Sequence, residues 1–217
     1  MTGPEDGVRR TYDLIAHDYD REIGDELDHK PLDRALLAAV AELAAGGRLA
    51  DVGCGPGHVT RYLAALHDDV VGIDLSPEMV AIARSHAPGL SFEVGTMLAL
   101  PVADASWAGA VAMYSVIHLS PGERRTAFAE LARALRPGGH LLLSFHVSGP
   151  DLPAGSSNHL STWFGHDVDV VAHFLEPDAV TADLLGAGFE IVATMQREPV
   201  AAQEYPSRRC YLLARRP

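Results

Sequence analysis

The stretch Leu49-Ala50-Asp51-Val52-Gly53-Cys54-Gly55-Pro56-Gly57-His58 runs from an apolar strand end through an acidic residue into three alternating glycines. Glycines so close together after a strand let the backbone turn sharply and leave room for a ligand where any side chain would clash. The residues that follow, Val59 to Leu66, read as a helix whose free N–H groups face the same ligand. Twenty-one residues past Gly53, a second apolar run, Val70-Val71-Gly72-Ile73, ends on Asp74, where a carboxylate accepts both hydroxyls of a ribose. The two features together read as a nucleotide-type cofactor loop in an α/β sheet.

A dinucleotide fingerprint requires G-x-G-x-x-G, whereas the third glycine here is Gly57 and His58 takes the next place. That spacing speaks against an oxidoreductase. The chain instead resembles the class I S-adenosylmethionine-dependent methyltransferases, whose D-x-G-x-G-x-G loop and acidic end of the second strand are matched by Asp51, Gly53, Gly55, Gly57 and Asp74. Asp74-Leu75-Ser76-Pro77-Glu78-Met79, Leu100-Pro101 and Leu135-Arg136-Pro137-Gly138-Gly139 follow in the family's order and spacing. The resemblance implies a Rossmann-like, seven-stranded, mostly parallel sheet with helices on both faces and an antiparallel last strand. It implies S-adenosyl-L-methionine as cofactor and O- or N-methylation of a small molecule by in-line displacement. The second reading is a cofactor-binding protein of the same fold that does not methylate, acting as a rearrangement catalyst or regulator.

A length of 217 residues suits one domain over 1–217, with a helical cover at 1–46 and a lid at 147–175. The segment from Val147 to Leu175 is too long for an ordinary connection and rich in His, Gly, Ser and Asp. A net charge of −12 with one lysine, Lys30, argues against a nucleic-acid groove. No apolar run reaches the ~18 residues of a membrane span, and Met1-Thr2-Gly3-Pro4-Glu5-Asp6 lacks the basic and apolar regions of a signal peptide, so a cytoplasmic monomer or homodimer is expected. Cys54 and Cys210 are expected as free thiols.

Short apolar runs place strands at Arg48–Val52, Val70–Ile73, Ser91–Val94, Gly109–Met113, His140–His146, Glu190–Thr194 and Cys210–Ala214, with helical patterns between the first five. Ser76-Pro77 and Ser120-Pro121-Gly122-Glu123 are helix starts, Glu176-Pro177 opens another helix, and Gly138-Gly139 is expected to stop the Arg124–Leu135 helix. The last two strands are expected to form a hairpin, which brings Tyr205 to Arg209 to the sheet edge that carries the glycine loop.

Methyl transfer requires alignment, exclusion of water and, for a hydroxyl or amine, removal of a proton. By resemblance Asp51 holds the amino-acid end of the cofactor, although it is equally a carboxylate able to satisfy local N–H groups. Asp74 binds the ribose or caps a turn. Leu75 and Met79 flank the adenine or belong to the core, and Thr96, Met97 and Leu98 supply its other contacts, with Tyr19 and Met113 completing the cofactor set. The family commonly has an acidic residue where Thr96 stands, so a hydroxyl or backbone N–H is expected at the adenine amino edge. Tyr114, His118 and His146 fall where such enzymes meet their substrate, and the histidines are candidate bases. Lys30, Trp163, His173, Tyr205 and Arg208 are candidates for substrate contact. His159, His166 and His173 lie seven apart, but the alternation Val168, Val170, Ala172, Phe174 argues against a helix that would gather them, and no metal is expected.

Overall fold

The computed structural model describes residues 4–200, 202 and 204–217; residues 1–3 of the opening stretch and positions 201 and 203 of the Gln196–Arg209 connection lie outside the described residues. Two helices precede the sheet: α1 (Pro4–Ile23) and, after a 3₁₀ turn at Glu26–His29, α2 (Pro31–Leu43). Pro31 sits in the first turn of α2, and Leu37, Val40 and Ala41 form its buried stripe. The chain then runs β1 (Arg48–Val52), α3 (His58–Ala64), β2 (Val70–Asp74), α4 (Pro77–His86), β3 (Ser91–Val94), β4 (Trp107–Met113), α5 (Pro121–Ala134) and β5 (Leu135–Ser148). It continues through β6 (Ser157–Trp163), β7 (His166–His173), α6 (Pro177–Gly186), β8 (Glu190–Arg197) and β9 (Arg208–Arg215).

Seven strands form one sheet in the order β3-β2-β1-β4-β5-β9-β8. β1 pairs parallel with β2 and β4, β2 with β3, and β4 with β5. β9 runs antiparallel between β5 and β8, as expected of a terminal hairpin. Strands buried on both faces still divide their side chains by period two. Val111 and Leu142 pack with Leu37, Val40 and Leu63 of α2 and α3, whereas Ala110, Ala112, Leu141 and Leu143 pack with Phe128, Leu131 and Leu184 of α5 and α6.

Two expectations are corrected. No helix joins β3 to β4: residues 95–106 run as turns with a small bridge between Thr96 and Ala99. Twelve residues are enough to carry a crossover without one. The helix before β5 ends at Ala134, where Leu135 is already extended, so Gly138 and Gly139 do not stop it. Gly138 instead turns the entry to β5 at φ +81° and donates its N–H to the Arg216 carbonyl at 2.8 Å. The segment expected as a lid, 147–175, contains an antiparallel hairpin, β6 and β7, which packs on α1.

Candidate active site

In an open α/β sheet ligands bind beyond the carboxyl ends of the strands where the strand order reverses, which here is between β1 and β4. The loops that follow those two strands meet there. Gly53 has φ +78°, and a Cβ on it would stand 2.3 Å from the Cβ of Ser115, whose hydroxyl donates to the Val52 carbonyl at 2.9 Å. A side chain at Gly53 would separate the two loops. Gly57, at φ +81°, meets Ala83 and Phe92 instead, so the third glycine serves the packing of the loop against α4 and β3.

The Asp74 carboxylate takes the Gly55 N–H on Oδ2 and the Ser76 N–H on Oδ1, both at 2.8 Å. Burial pushes its pKa up while these two donors pull it down. A carboxylate has about four lone-pair sites, so two remain for a diol. Around it opens a cleft, partly open to solvent, lined by α1, the glycine loop and the ends of β2 and β4.

Of the residues singled out in the sequence, Tyr19, Gly53, Gly55, Asp74, Leu75, Thr96, Met97, Met113, Tyr114 and His118 line this cleft. Sequence reasoning missed the wall that α1 supplies through Glu5, Val8, Arg9 and Tyr12. The signal was available: Glu5, Tyr12 and Tyr19 are spaced by seven and so share one helix face. Asp13 of the same helix accepts the Ser76 hydroxyl at 2.6 Å, and Asp20 meets His86 at 2.8 Å, which dock α1 on α4.

Other candidates lie elsewhere. Asp51 is buried behind the loop and accepts the Thr60 hydroxyl at 2.6 Å; burial pushes its pKa up to about 6. Met79 is enclosed with Ala16 and Ile82, and Leu98 packs on the main core. Trp163 stacks on Phe164 and meets Tyr12 and Tyr19 edge-on at 5.8 Å, roofing α1. Arg208 is half exposed with Glu198 at 3.8 Å, while the adjacent Arg209 is buried. His173 lies toward Arg124 and Glu123.

His118 is bonded at both ring nitrogens and His146 at one. The Nδ1–H of His118 donates to the Val171 carbonyl at 2.8 Å, which leaves Nε2 to accept the Tyr12 hydroxyl at 2.8 Å. Burial holds its pKa low. His146 bonds Ser207 Oγ through Nδ1 at 2.6 Å and stacks on Tyr114 at 4.9 Å. Burial, reinforced by Arg209 and Lys30, brings its pKa down to about 3. A base that weak captures little of a proton's transfer energy near neutrality. In this arrangement His118 braces α1 against β7, and His146 forms part of an aromatic wall.

Tyr114 stands at the end of β4 with φ +54°, its N–H donated to the Ser144 carbonyl at 3.0 Å. Its hydroxyl meets Tyr211 at 2.8 Å and Asp33 at 3.3 Å, and Lys30 Nζ lies 4.9 Å from its ring centroid. Lys30 is itself paired with Glu26 at 2.6 Å. Phe174 and Tyr205 flank His146 at 6.1 and 5.7 Å, so Tyr114, His146, Phe174 and Tyr205 form one aromatic wall. Among the described residues no three His, Cys, Asp or Glu side chains gather to hold a metal ion, and no helix is long and apolar enough to cross a membrane.

The family model for the methyltransferase domain matches residues 49–139, from β1 to the start of β5. O-methyltransferase cnsE of Penicillium expansum is 36% identical over 161 residues, 69% of this chain and 54% of that protein. The chain belongs to the class I S-adenosylmethionine-dependent methyltransferases. A SAM-dependent methyltransferase from Methanosarcina mazei superposes with a TM-score of 0.70 at 21% identity, covering 82% of this chain and 96% of that one. The [4+2]-cyclase SpnF shares the fold at a TM-score of 0.74 and 21% identity, over 100% of this chain and 97% of that one. The chain spans about half the length of the first curated relatives it matches. The family's cofactor, S-adenosyl-L-methionine, fits the residues present: Asp74 keeps acceptor capacity for the ribose, Gly53 and Gly55 leave the backbone bare, and Leu75 and Met97 wall the cleft beyond.

Proposed function

We propose that this chain transfers a methyl group from S-adenosyl-L-methionine to a hydroxyl or amine of a small molecule, oxygen being favoured by the O-methyltransferase relatives. The observation that carries this reading is the sharing of one cleft by the glycine loop, Asp74 and the Met113-Tyr114 end of β4. The bound cofactor supplies an already activated methyl group, so the protein's work is alignment and exclusion of water. Asp74 holds the ribose, and the Gly53 and Gly55 loop lets the rest of the cofactor approach the backbone. Tyr114 lines the cleft with His146 stacked on it and Phe174 and Tyr205 packed around His146, which offers the acceptor an aromatic face, and Tyr12, Tyr19 and Trp163 keep water out from above. With His118 bonded at both nitrogens and His146 held by burial as a weak base, this reading favours an acceptor acidic enough to lose its proton without a strong base. The cover at 1–46 and the hairpin at 147–175 belong in this reading to one methyltransferase domain over 1–217.

Titration calorimetry tests the cofactor. S-adenosyl-L-methionine and its demethylated product should bind in the micromolar range, and Asp74→Ala should weaken binding by ~1–3 kcal/mol through lost charge-assisted hydrogen bonds. No binding by the wild type, or an unchanged constant in the variant, removes the cofactor. Incubation with methyl-labelled cofactor and a metabolite extract tests the chemistry. Tight binding with no label transferred to any small molecule would favour the non-methylating alternative.

A further inference from the structure

We propose that Glu5 of α1 is the acceptor for the exocyclic amine of the cofactor's adenine, so that the first helix, and not the end of β3, reads the base. The inference rests on the cofactor reading above. With the ribose on Asp74, the neighbouring lining residues Leu75, Gly95, Thr96 and Met97, from the ends of β2 and β3, would hold the base. The amino edge of adenine carries a donor, which needs an acceptor. Thr96 is the weaker acceptor for that task, because its neutral hydroxyl keeps at most one lone pair free where a carboxylate offers charge-assisted bonding. It accepts the Leu98 N–H at 3.0 Å, and it spends its only hydrogen on Glu5 Oε1.

That second bond brings the carboxylate of Glu5 to the base end of the cleft, across a separation of 91 positions in the chain. Glu5 lines the cleft and is partly buried, and its Oε2 carries no hydrogen bond among the described residues. Two other carboxylates line the same cleft. Asp74 is turned to the Gly55 and Ser76 N–H groups, and Glu123 closes the capping box of α5 with Ser120. Glu5 is thus the lining carboxylate with an oxygen to spare beside Thr96. A carboxylate in the first helical turn also suits the helix dipole, but that role requires no contact with Thr96. Thr96 acts as the positioning residue that turns the Glu5 carboxylate into the cleft. The arrangement makes discrimination of the base depend on α1 being docked, as the Asp13–Ser76 and Asp20–His86 bonds dock it.

The test compares S-adenosylhomocysteine with S-inosylhomocysteine, in which a carbonyl replaces the amine, by titration calorimetry on the full chain. The carbonyl faces the Glu5 carboxylate with acceptor against acceptor, so the wild type should prefer the adenosyl compound by about 100-fold or more. Glu5→Gln, nearly isosteric and able to donate, should lower adenosyl affinity by about 10-fold and bring the two ligands within about 3-fold of each other. Glu5→Ala should lose the adenosyl preference and adding Thr96→Asp should restore it, whereas a purely structural Glu5 would leave the preference of Glu5→Ala intact. A wild type that binds the adenosyl compound while Glu5→Gln discriminates as sharply as the wild type overturns this assignment and leaves the cofactor standing. A wild type that binds neither compound overturns both.

Discussion

The Asp51 carboxyl shows how a single residue records its surroundings. It is enclosed, its one side-chain donor is Thr60, and burial raises its pKa from 3.8 to about 6. A group that holds its proton more tightly when folded stabilises the fold below its unfolded pKa. That contribution is lost as the pH rises through about 6, and it amounts to about 3 kcal/mol over the interval. Asp51→Asn keeps an oxygen for Thr60 and has no charge to bury. Its stability relative to the wild type should therefore rise between pH 4 and pH 7, as urea titrations at several pH values can measure; a difference independent of pH would mean that the charge is buried without cost. His146 has the opposite sign. Its pKa falls from 6.5 to about 3, so its contribution is present above pH 6.5 and is lost as the pH falls toward 3. For catalysis, His146→Asn and His118→Asn should leave the pH–rate profile between pH 6 and 7.5 unchanged in form. Loss of a rising limb in either variant would restore the histidine as a base.

Among the elements, the β6–β7 hairpin is the one whose motion bears on function. Its strands bury little, as the alternation of exposed and partly exposed residues along Ser157–Trp163 shows. It is held by a few specific contacts: His166 to Asp18 at 2.8 Å, the His118 brace to Val171, and Trp163 against Tyr12 and Tyr19. An element with few buried contacts opens at low free-energy cost. Amides of β6 and β7 should exchange quickly in the free protein and become protected when demethylated cofactor and acceptor are both present, and His118→Asn should speed exchange in the free protein. Strong protection that does not depend on ligands would make the hairpin fixed structure. The alternation Val168, Val170, Ala172, Phe174 was legible as extended chain. The seat of that strand on α1 was not, because the partner contacts come from a helix more than a hundred residues earlier.

Across the whole molecule, the helical cover is tied to the far edge of the sheet by buried charges. Arg197 of β8 donates to Asp33 of α2 and to Glu204, both at 2.7 Å, and Arg209 of β9 lies 3.0 Å from Glu204. Tyr211 adds a bond to Asp33 at 2.7 Å, and through Tyr114 the network reaches the acceptor side of the cleft. Two positive and two negative groups balance, although Glu204 Oε1 and Arg209 Nε make no hydrogen bond. Such a network adds little net stability but is costly to break, since the remaining partner is left buried and unpaired. Arg197→Met should lower unfolding free energy by about 3–5 kcal/mol, seen as a lower urea midpoint at an unchanged slope. A loss below about 1 kcal/mol would mean that Asp33 and Glu204 find water instead.

The strands, the glycine loop and Asp74 could be read along the chain because each depends on neighbours a few positions away, through hydrophobic period, turn chemistry and helix capping. That the sheet is mostly parallel with an antiparallel last strand followed from the same signals and the resemblance they carry, whereas the strand order came from the structure. What closes the site depends on side chains brought together across long separations. Thr96 and Glu5 are 91 positions apart, Tyr12 and His118 are 106 apart, and Arg197 and Asp33 are 164 apart. No periodicity encodes which of eleven histidines will be braced or which of many carboxylates will face a cleft. Those assignments arise when α1 and the hairpin pack over the sheet edge, because only the packed state decides which polar groups are buried and must find partners.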